Sequence, residues 1–350
     1  MKAFVTKVRF FAVLMLILSM ALTASGCGTA DEEGTDSEEP KSIEVYAMDT
    51  YMTLTAYGEN ADDALSDAEA EIKRIDTMFS TGNKDSEISK LNEAKKLEVS
   101  EETFSLIKKA KEIGGQVDGV FDISVYPVMQ AWGFTDQNYR VPEKKELNNL
   151  LKRVDFSEIS LDEKTHTVTL DDDMAIDLGG IAKGYTSDRV IKIMKEHGVE
   201  HALINLGGNV KVLDHKLDGS EWRVAITDPE DEEDFVGGVS VFDKAVITSG
   251  GYQRYFEQDG ERYFHIIDLT DGYPARNGLI STTIISEDGT LADALSTSLF
   301  IMGPDRACEY WKEHAEDFDA VLVTDDGRVL VTEGLEDSYF SDREYEVIRK

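Results

Sequence analysis

Basic side chains and cysteines are scarce in this chain. Lys and Arg number 36 against 70 Asp and Glu, which leaves a formal net charge of −34 at pH 7 over 350 residues. Nucleic-acid backbones are held mainly by clustered Lys and Arg, so the composition argues against nucleic acid as a partner. The 2 cysteines are Cys27 and Cys308. They are too few for a disulfide framework, so stability must come from a core, and 41% hydrophobic residues suffice for a sizeable one. Long apolar runs are missing too. The most extended, Phe10 to Leu22, is short for a comfortable membrane span.

That run has a different use. It follows Lys2, Lys7 and Arg9 and leads through the small residues Ala24, Ser25 and Gly26 to Cys27, the layout of a cleaved leader. The segment resembles a bacterial lipoprotein signal, with Ala24 where leucine is commoner; an ordinary secretory signal or a membrane anchor is the alternative. On the lipoprotein reading residues 1–26 are removed and Cys27 is acylated, so Cys308 has no partner for an internal disulfide. Residues 28–41 intersperse Asp31, Glu32, Glu33, Asp36, Glu38 and Glu39 with Gly, Thr and Ser, a composition that stays extended and solvated. The expected organisation is a signal (1–26), an acidic tether beginning at lipidated Cys27 (27–41) and one globular domain (42–350). The domain is expected outside the cytosol, held to the membrane by its lipid anchor alone.

Within the domain the residue pattern predicts strand over 43–57, a helix over 61–79 with Ile72, Ile75 and Phe79 on one side, and then a polar loop. Helices follow over 101–114, with Ser100 as N-cap and Gly114-Gly115 as its end, and over 142–151 and 185–197. Strands are expected at 168–170, 201–205, 222–226, 238–241, 245–248, 263–268 and 281–286. A helix at 291–302 precedes a closing hairpin of 320–324 with 329–332 across Asp325-Asp326-Gly327. Helices and strands do not alternate regularly, so the fold class is α+β, a single large mixed unit.

The chemistry concentrates first in Asp177-Leu-Gly-Gly-Ile-Ala-Lys-Gly184. An apolar run enters a glycine-rich turn and leaves as an amphipathic helix, the layout of a backbone that approaches a phosphate closely. Its spacing fits neither the dinucleotide fingerprint nor the Walker loop, and a purely structural corner accounts for it equally well. Other motifs flank it in one order. Phe79-Ser-Thr-Gly-Asn opens a stretch ending at Asn92, and Gly119-Val-Phe-Asp-Ile-Ser-Val-Tyr-Pro leads to Trp132-Gly-Phe134. His265-Ile-Ile-Asp-Leu-Thr-Asp-Gly-Tyr-Pro274 and Ala292-Asp-Ala-Leu-Ser-Thr297 come after it.

That series, spread between Met48 and Gly303, closely resembles the ApbE family of FAD:protein FMN transferases, whose fold is related to the T-fold. The resemblance implies an enzyme that binds FAD with Mg2+, cuts the diphosphate and joins the FMN half through a phosphoester to a threonine hydroxyl of an acceptor protein, releasing AMP. The implied acceptor carries a Ser/Thr-Gly-Ala-Thr type sequence, as a flavin-carrying subunit of a membrane or extracytosolic electron-transfer complex. Two other readings stay open: hydrolysis of FAD to FMN and AMP, and a lipid-anchored flavin-binding protein.

Asp293 and Thr297 stand four apart in an expected helix and so share one face. A carboxylate with a hydroxyl is a hard oxygen pair suited to magnesium. Plain roles also fit, with Asp293 at the positive end of its helix and Thr297 bonded to the preceding turn. The resemblance favours the metal and adds the backbone carbonyls of Gly180 and Ser296. It makes His265 the general base, since a threonine hydroxyl must lose its proton and histidine titrates at about pH 6.5. His166, His197, His201, His215 and His314 fall outside the motifs. For flavin-nucleotide contacts the resemblance implies Met48, Trp132, Asp177, Lys183 and Ile267. Lys183 varies within the family, and Gly82 stands where many members have an aromatic residue.

Overall fold

A nine-stranded sheet organises residues 39–350, the part of the chain that the computed structural model describes. Cys27, the signal and all but the last residues of the expected tether lie outside the described residues. The strands are Lys41–Ala47, Thr50–Tyr57, His201–Leu206, Asn209–Leu213, Ala245–Gly250, Leu279–Ser286, Asp319–Thr324, Val329–Thr332 and Glu346–Ile348. They lie side by side in chain order. Neighbours run antiparallel, except the last pair, which is parallel. The sheet is thus a meander interrupted by long excursions, and the excursions carry most of the chemistry.

Eight helices are described: α1 Ala61–Phe79, α2 Glu87–Ala94, α3 Glu101–Gln116, α4 Tyr126–Trp132, α5 Lys144–Leu150, α6 Ala182–Glu196, α7 Gly289–Met302 and α8 Pro304–His314. Helix α1 buries Ala61, Ala64, Leu65, Ala68, Ile72, Ile75 and Phe79, the single stripe its sequence periodicity predicts. Helices cover one face of the sheet, packing on Ala245, Ile247, Ile284, Leu322 and Leu330. Val246, Ile285, Val321, Val323 and Val329 point the other way, into a core shared with the small sheet of Trp222–Thr227, Phe235–Val241 and Tyr339–Phe340. A strand buried on both faces reads as a continuous apolar run rather than an alternation, which is the pattern of 245–247 and 329–331. None of the helices described is long and apolar enough to cross a membrane.

The expected α+β unit is present, with several local differences. The stretch after Phe79 is not wholly loop: Ser86 Oγ accepts from the Ser89 amide and starts α2, which buries Ile88 and Leu91. Helix α3 does not stop at Gly114-Gly115 but continues to Gln116. Gly114 is there for closeness, since a Cβ would lie 2.9 Å from the Phe121 carbonyl. The strand expected over 263–268 ends at Phe264, because the chain then folds into a tight turn in which only Ile267 bridges back, to Pro274. The first strand starts at Lys41, within the stretch assigned to the tether.

Candidate active site

Helix α6 begins without a capping side chain of its own, since its N-cap position is Ile181. Asp293, from the middle of α7, supplies what is missing. Its Oδ2 accepts the Gly184 amide at 2.8 Å, and its Oδ1 accepts from Nδ2 of Asn209 at 3.1 Å. Such an approach requires glycine at 184: a Cβ there would lie 2.1 Å from the Gly289 carbonyl and 2.6 Å from Cβ of Asp293. The Gly184 amide is thus taken by a protein carboxylate and is not open to a phosphate, and the helix that Asp293 caps is α6 rather than its own. The approach to the turn is irregular rather than strand, with residues 176–177 held by flanking motifs. Asn92 exchanges two hydrogen bonds with the Ile176 backbone, and the Asp177 amide donates to the Ile123 carbonyl at 2.8 Å.

Diverting the Gly184 amide has a further effect. In an uninterrupted helix it would meet the carbonyl of Gly180, four residues back, which receives no hydrogen bond among the described residues. Gly180 itself lies against the Phe121 ring, 3.0 Å from where a Cβ would stand. One turn along α7 from Asp293, the Thr297 hydroxyl meets Ser249 Oγ at 3.2 Å. Ser249 also bonds Ser296 Oγ at 2.7 Å, and Ser296 Oγ donates to the Asp293 carbonyl at 2.8 Å. The Ser296 side chain is therefore engaged within the protein, leaving at most its backbone for a ligand.

Asp293 is 6% exposed. Burial pushes its pKa up, opposed by the positive charge of Lys183 and the Gly184 amide. A buried carboxylate with lone pairs to spare, an unpaired carbonyl and a hydroxyl form an all-oxygen donor set. Among the described residues no group of three or more His, Cys, Asp and Glu gathers for a metal. One carboxylate with neutral oxygens suits Mg2+, which keeps several waters or phosphate oxygens in its shell, better than a metal preferring thiolate or imidazole.

His265 follows the hairpin of Tyr255–Gln258 and Glu261–Phe264. Its amide donates to the Arg254 carbonyl at 3.2 Å, and its Nδ1 lies 3.2 Å from the same oxygen. A carbonyl can only accept, so the neutral ring carries its proton on Nδ1 and keeps a lone pair on Nε2. Burial, then the charge of Arg254, brings the His265 pKa down to about 4, with Lys183 adding to the effect. The ring is thus a free base at neutral pH. The turn after it is self-contained: Asp268 accepts from the amide and hydroxyl of Thr270, and its other oxygen accepts from Asn277, which also donates to the Ile301 carbonyl at the end of α7.

The remaining predicted contacts divide. Met48 sits at a hairpin tip with φ 50°, and its sulfur accepts from the Thr186 hydroxyl of α6 at 3.8 Å. Asp177 is half-buried, with its pKa raised by burial against the Gly179 amide and the charge of Arg254. Lys183 is half-buried beside the Asp293 contact. Trp132 differs: it is 0% exposed, boxed in by Phe134, Phe256, Tyr263 and Tyr273, with Nε1 donating to the Gly272 carbonyl at 2.8 Å. Its ring offers no face to a ligand and braces the 268–274 turn, as does Ile267, which is 5% exposed in the same cluster. Gly82 is exposed, and a Cβ there would meet nothing nearer than Ser80 Oγ at 3.7 Å.

Sequence reasoning missed Asn209, Ser249, Arg254 and the Asp188–Lys211 pair. Asp188 receives the Gly289 and Thr290 amides at the start of α7 and the Lys211 ammonium. The available signal was a polar residue within an apolar strand, as in Asn209-Val-Lys-Val-Leu213, because such a group folds inward only if a partner awaits it. The histidines outside the motifs take structural places, His197 on Asp67 and His215 stacked on Phe242, for example.

Known proteins match this chain over most of its length. The ApbE family profile matches residues 48–322. An FAD:protein FMN transferase of Klebsiella pneumoniae (strain 342) is 35% identical over 266 residues, 75% of this chain and 82% of the relative. The crystal structure of the ApbE protein of Thermotoga maritima aligns with a TM-score of 0.81 at 33% identity, over 87% of this chain and 100% of that one. The flavin transferase ApbE of Vibrio cholerae aligns at 0.77 and 26% identity, over 86% and 99%.

Proposed function

This chain belongs to the ApbE family and is a flavin transferase, and on that premise we propose that it moves the FMN moiety of FAD to a threonine hydroxyl of an acceptor protein in a Mg2+-dependent reaction that releases AMP. What supports the reading is the set of oxygen atoms around Asp293 together with a His265 ring that keeps a lone pair on Nε2, both under the charge of Lys183. Asp293, Thr297 and the carbonyls of Gly180 and Ser296 would hold the ion. When bound, Mg2+ supplies positive charge beside the diphosphate; without it, a carboxylate about 4 Å from a phosphate oxygen would repel it by roughly 4 kcal/mol at an effective dielectric of 20.

His265 Nε2 takes the proton of the threonine hydroxyl as its oxygen bonds to the phosphorus carried by riboflavin. The bond from that phosphorus to the bridging oxygen breaks, and AMP leaves with the electron pair. Asn209 and the Gly184 amide fix both oxygens of Asp293, so the cation niche is oriented before substrate arrives. Met48, Asp177 and Lys183 are proposed to surround the flavin nucleotide, with Trp132 and Ile267 supporting them from behind. Acylation of Cys27 would hold the enzyme outside the cytosol at the membrane. There it would meet a flavin-carrying subunit presenting a Ser/Thr-Gly-Ala-Thr type segment.

Intact-mass analysis of such an acceptor domain, incubated with FAD, Mg2+ and residues 28–350, tests the proposal. A gain of one FMN phosphoester, lost when the acceptor threonine is changed to alanine and matched by released AMP, is expected. An unmodified acceptor with free FMN accumulating would establish a hydrolase, and intact FAD a binding protein.

A further inference from the structure

In so acidic a chain most arginines end up on carboxylates. Arg74, Arg189, Arg262 and Arg343 each form an ion pair with one or more Asp or Glu side chains. Arg254 does not. Its guanidinium donates to the Phe134 carbonyl, a neutral acceptor, and among the described residues it has no carboxylate in ion-pair contact. One of the five guanidinium donors is thereby committed, and the side chain is aimed while the others stay available. Its backbone carbonyl is the oxygen that holds His265, so the charge is tied to the base by two residue contacts.

Lys183 likewise has no ion-pair partner among the described residues. It lies in the first turn of α6, which contains no acidic residue, at the helix end where a positive charge is disfavoured. Lys183 acts electrostatically on Asp293 and His265, Arg254 on Asp177 and His265. The two cations and the two carboxylates balance. A divalent metal at Asp293 would leave the site with two net positive charges, and the diphosphate of FAD carries two negative ones.

We infer that Arg254 is a substrate-binding residue whose guanidinium, with Lys183, holds the FAD diphosphate next to His265. The assignment rests on the proposed function, because it takes FAD as the ligand. Guanidinium fits the task through its planar fork, which can span two phosphate oxygens. Unlike Trp132, whose part is to hold a turn, Arg254 would touch the substrate itself.

The test is FAD titration followed by flavin fluorescence, with riboflavin as a phosphate-free probe, on wild type, Arg254→Gln and Arg254→Lys. Arg254→Gln is expected to bind FAD at least about tenfold more weakly, riboflavin as well as wild type does, and Arg254→Lys to recover part of the loss. Thermal melting of both variants checks that the Phe134 contact is not needed for folding. FAD affinity of Arg254→Gln within twofold of wild type, or an equal loss for riboflavin, overturns the assignment while leaving the proposed function standing. A wild-type protein that does not bind FAD at all overturns both.

Discussion

The carboxylate of Asp293 and the amide of Gly184, 109 residues apart in the chain, meet at 2.8 Å. That single contact caps α6, locks it against α7 and frees the Gly180 carbonyl. A structural role and the proposed chemical one therefore fall on the same side chain, and substitution there should show both.

Asp293→Ala is expected to lower stability by about 1–2 kcal/mol through loss of the cap and to abolish Mg2+-dependent transfer. Urea unfolding and AMP release measure the two effects separately. A folded variant with wild-type turnover would remove Asp293 from the metal site.

Gly184→Ala adds a methyl group where the Gly289 carbonyl stands 2.1 Å away. The helices must part, and the overpacking should cost about 1–3 kcal/mol or more. A melting temperature matching that of wild type would show that α6 and α7 separate freely.

Asn209→Ala leaves Oδ1 of Asp293 without its donor. Outer-shell partners of this kind typically alter metal affinity by about 10–100-fold, so the Mg2+ concentration for half-maximal activity should rise by that order, with turnover largely recovered at saturating metal. An unchanged Mg2+ dependence would count against the orientation role. For the wild type, excess EDTA should stop turnover and added Mg2+ restore it; activity that persists in EDTA sinks the metal assignment.

The pH profile follows from His265. With its pKa brought down to about 4 in the folded protein, the base stays unprotonated through mildly acid solution. The acid limb of kcat/KM should then lie well below pH 6.5, the ordinary histidine value of about that size. Between about pH 6.5 and 4 the unfolded chain binds a proton that the folded one refuses. His265 therefore contributes to stability above that window, and the contribution is lost as pH falls through it. His265→Ala should flatten the slope of stability against pH, keep FAD bound and slow transfer; an unaltered rate would exclude the ring as base.

The local order of this protein was legible in its residues. The stripe of α1, the Ser100 cap, the hairpin across Asp325-Asp326-Gly327 and the helix carrying Asp293 and Thr297 all depend on neighbours within a few positions, and periodicity and capping report such neighbours directly. Motif order likewise placed His265 and Asp293 among the candidates before any contact was known. What glycine is for at 184, why Trp132 turns its ring inward, and which groups hold Asp293 and His265 were decided only in three dimensions. Asn209 and Ser249 join the site through contacts spanning dozens of residues, and one-dimensional spacing carries no trace of a partner brought near by packing alone.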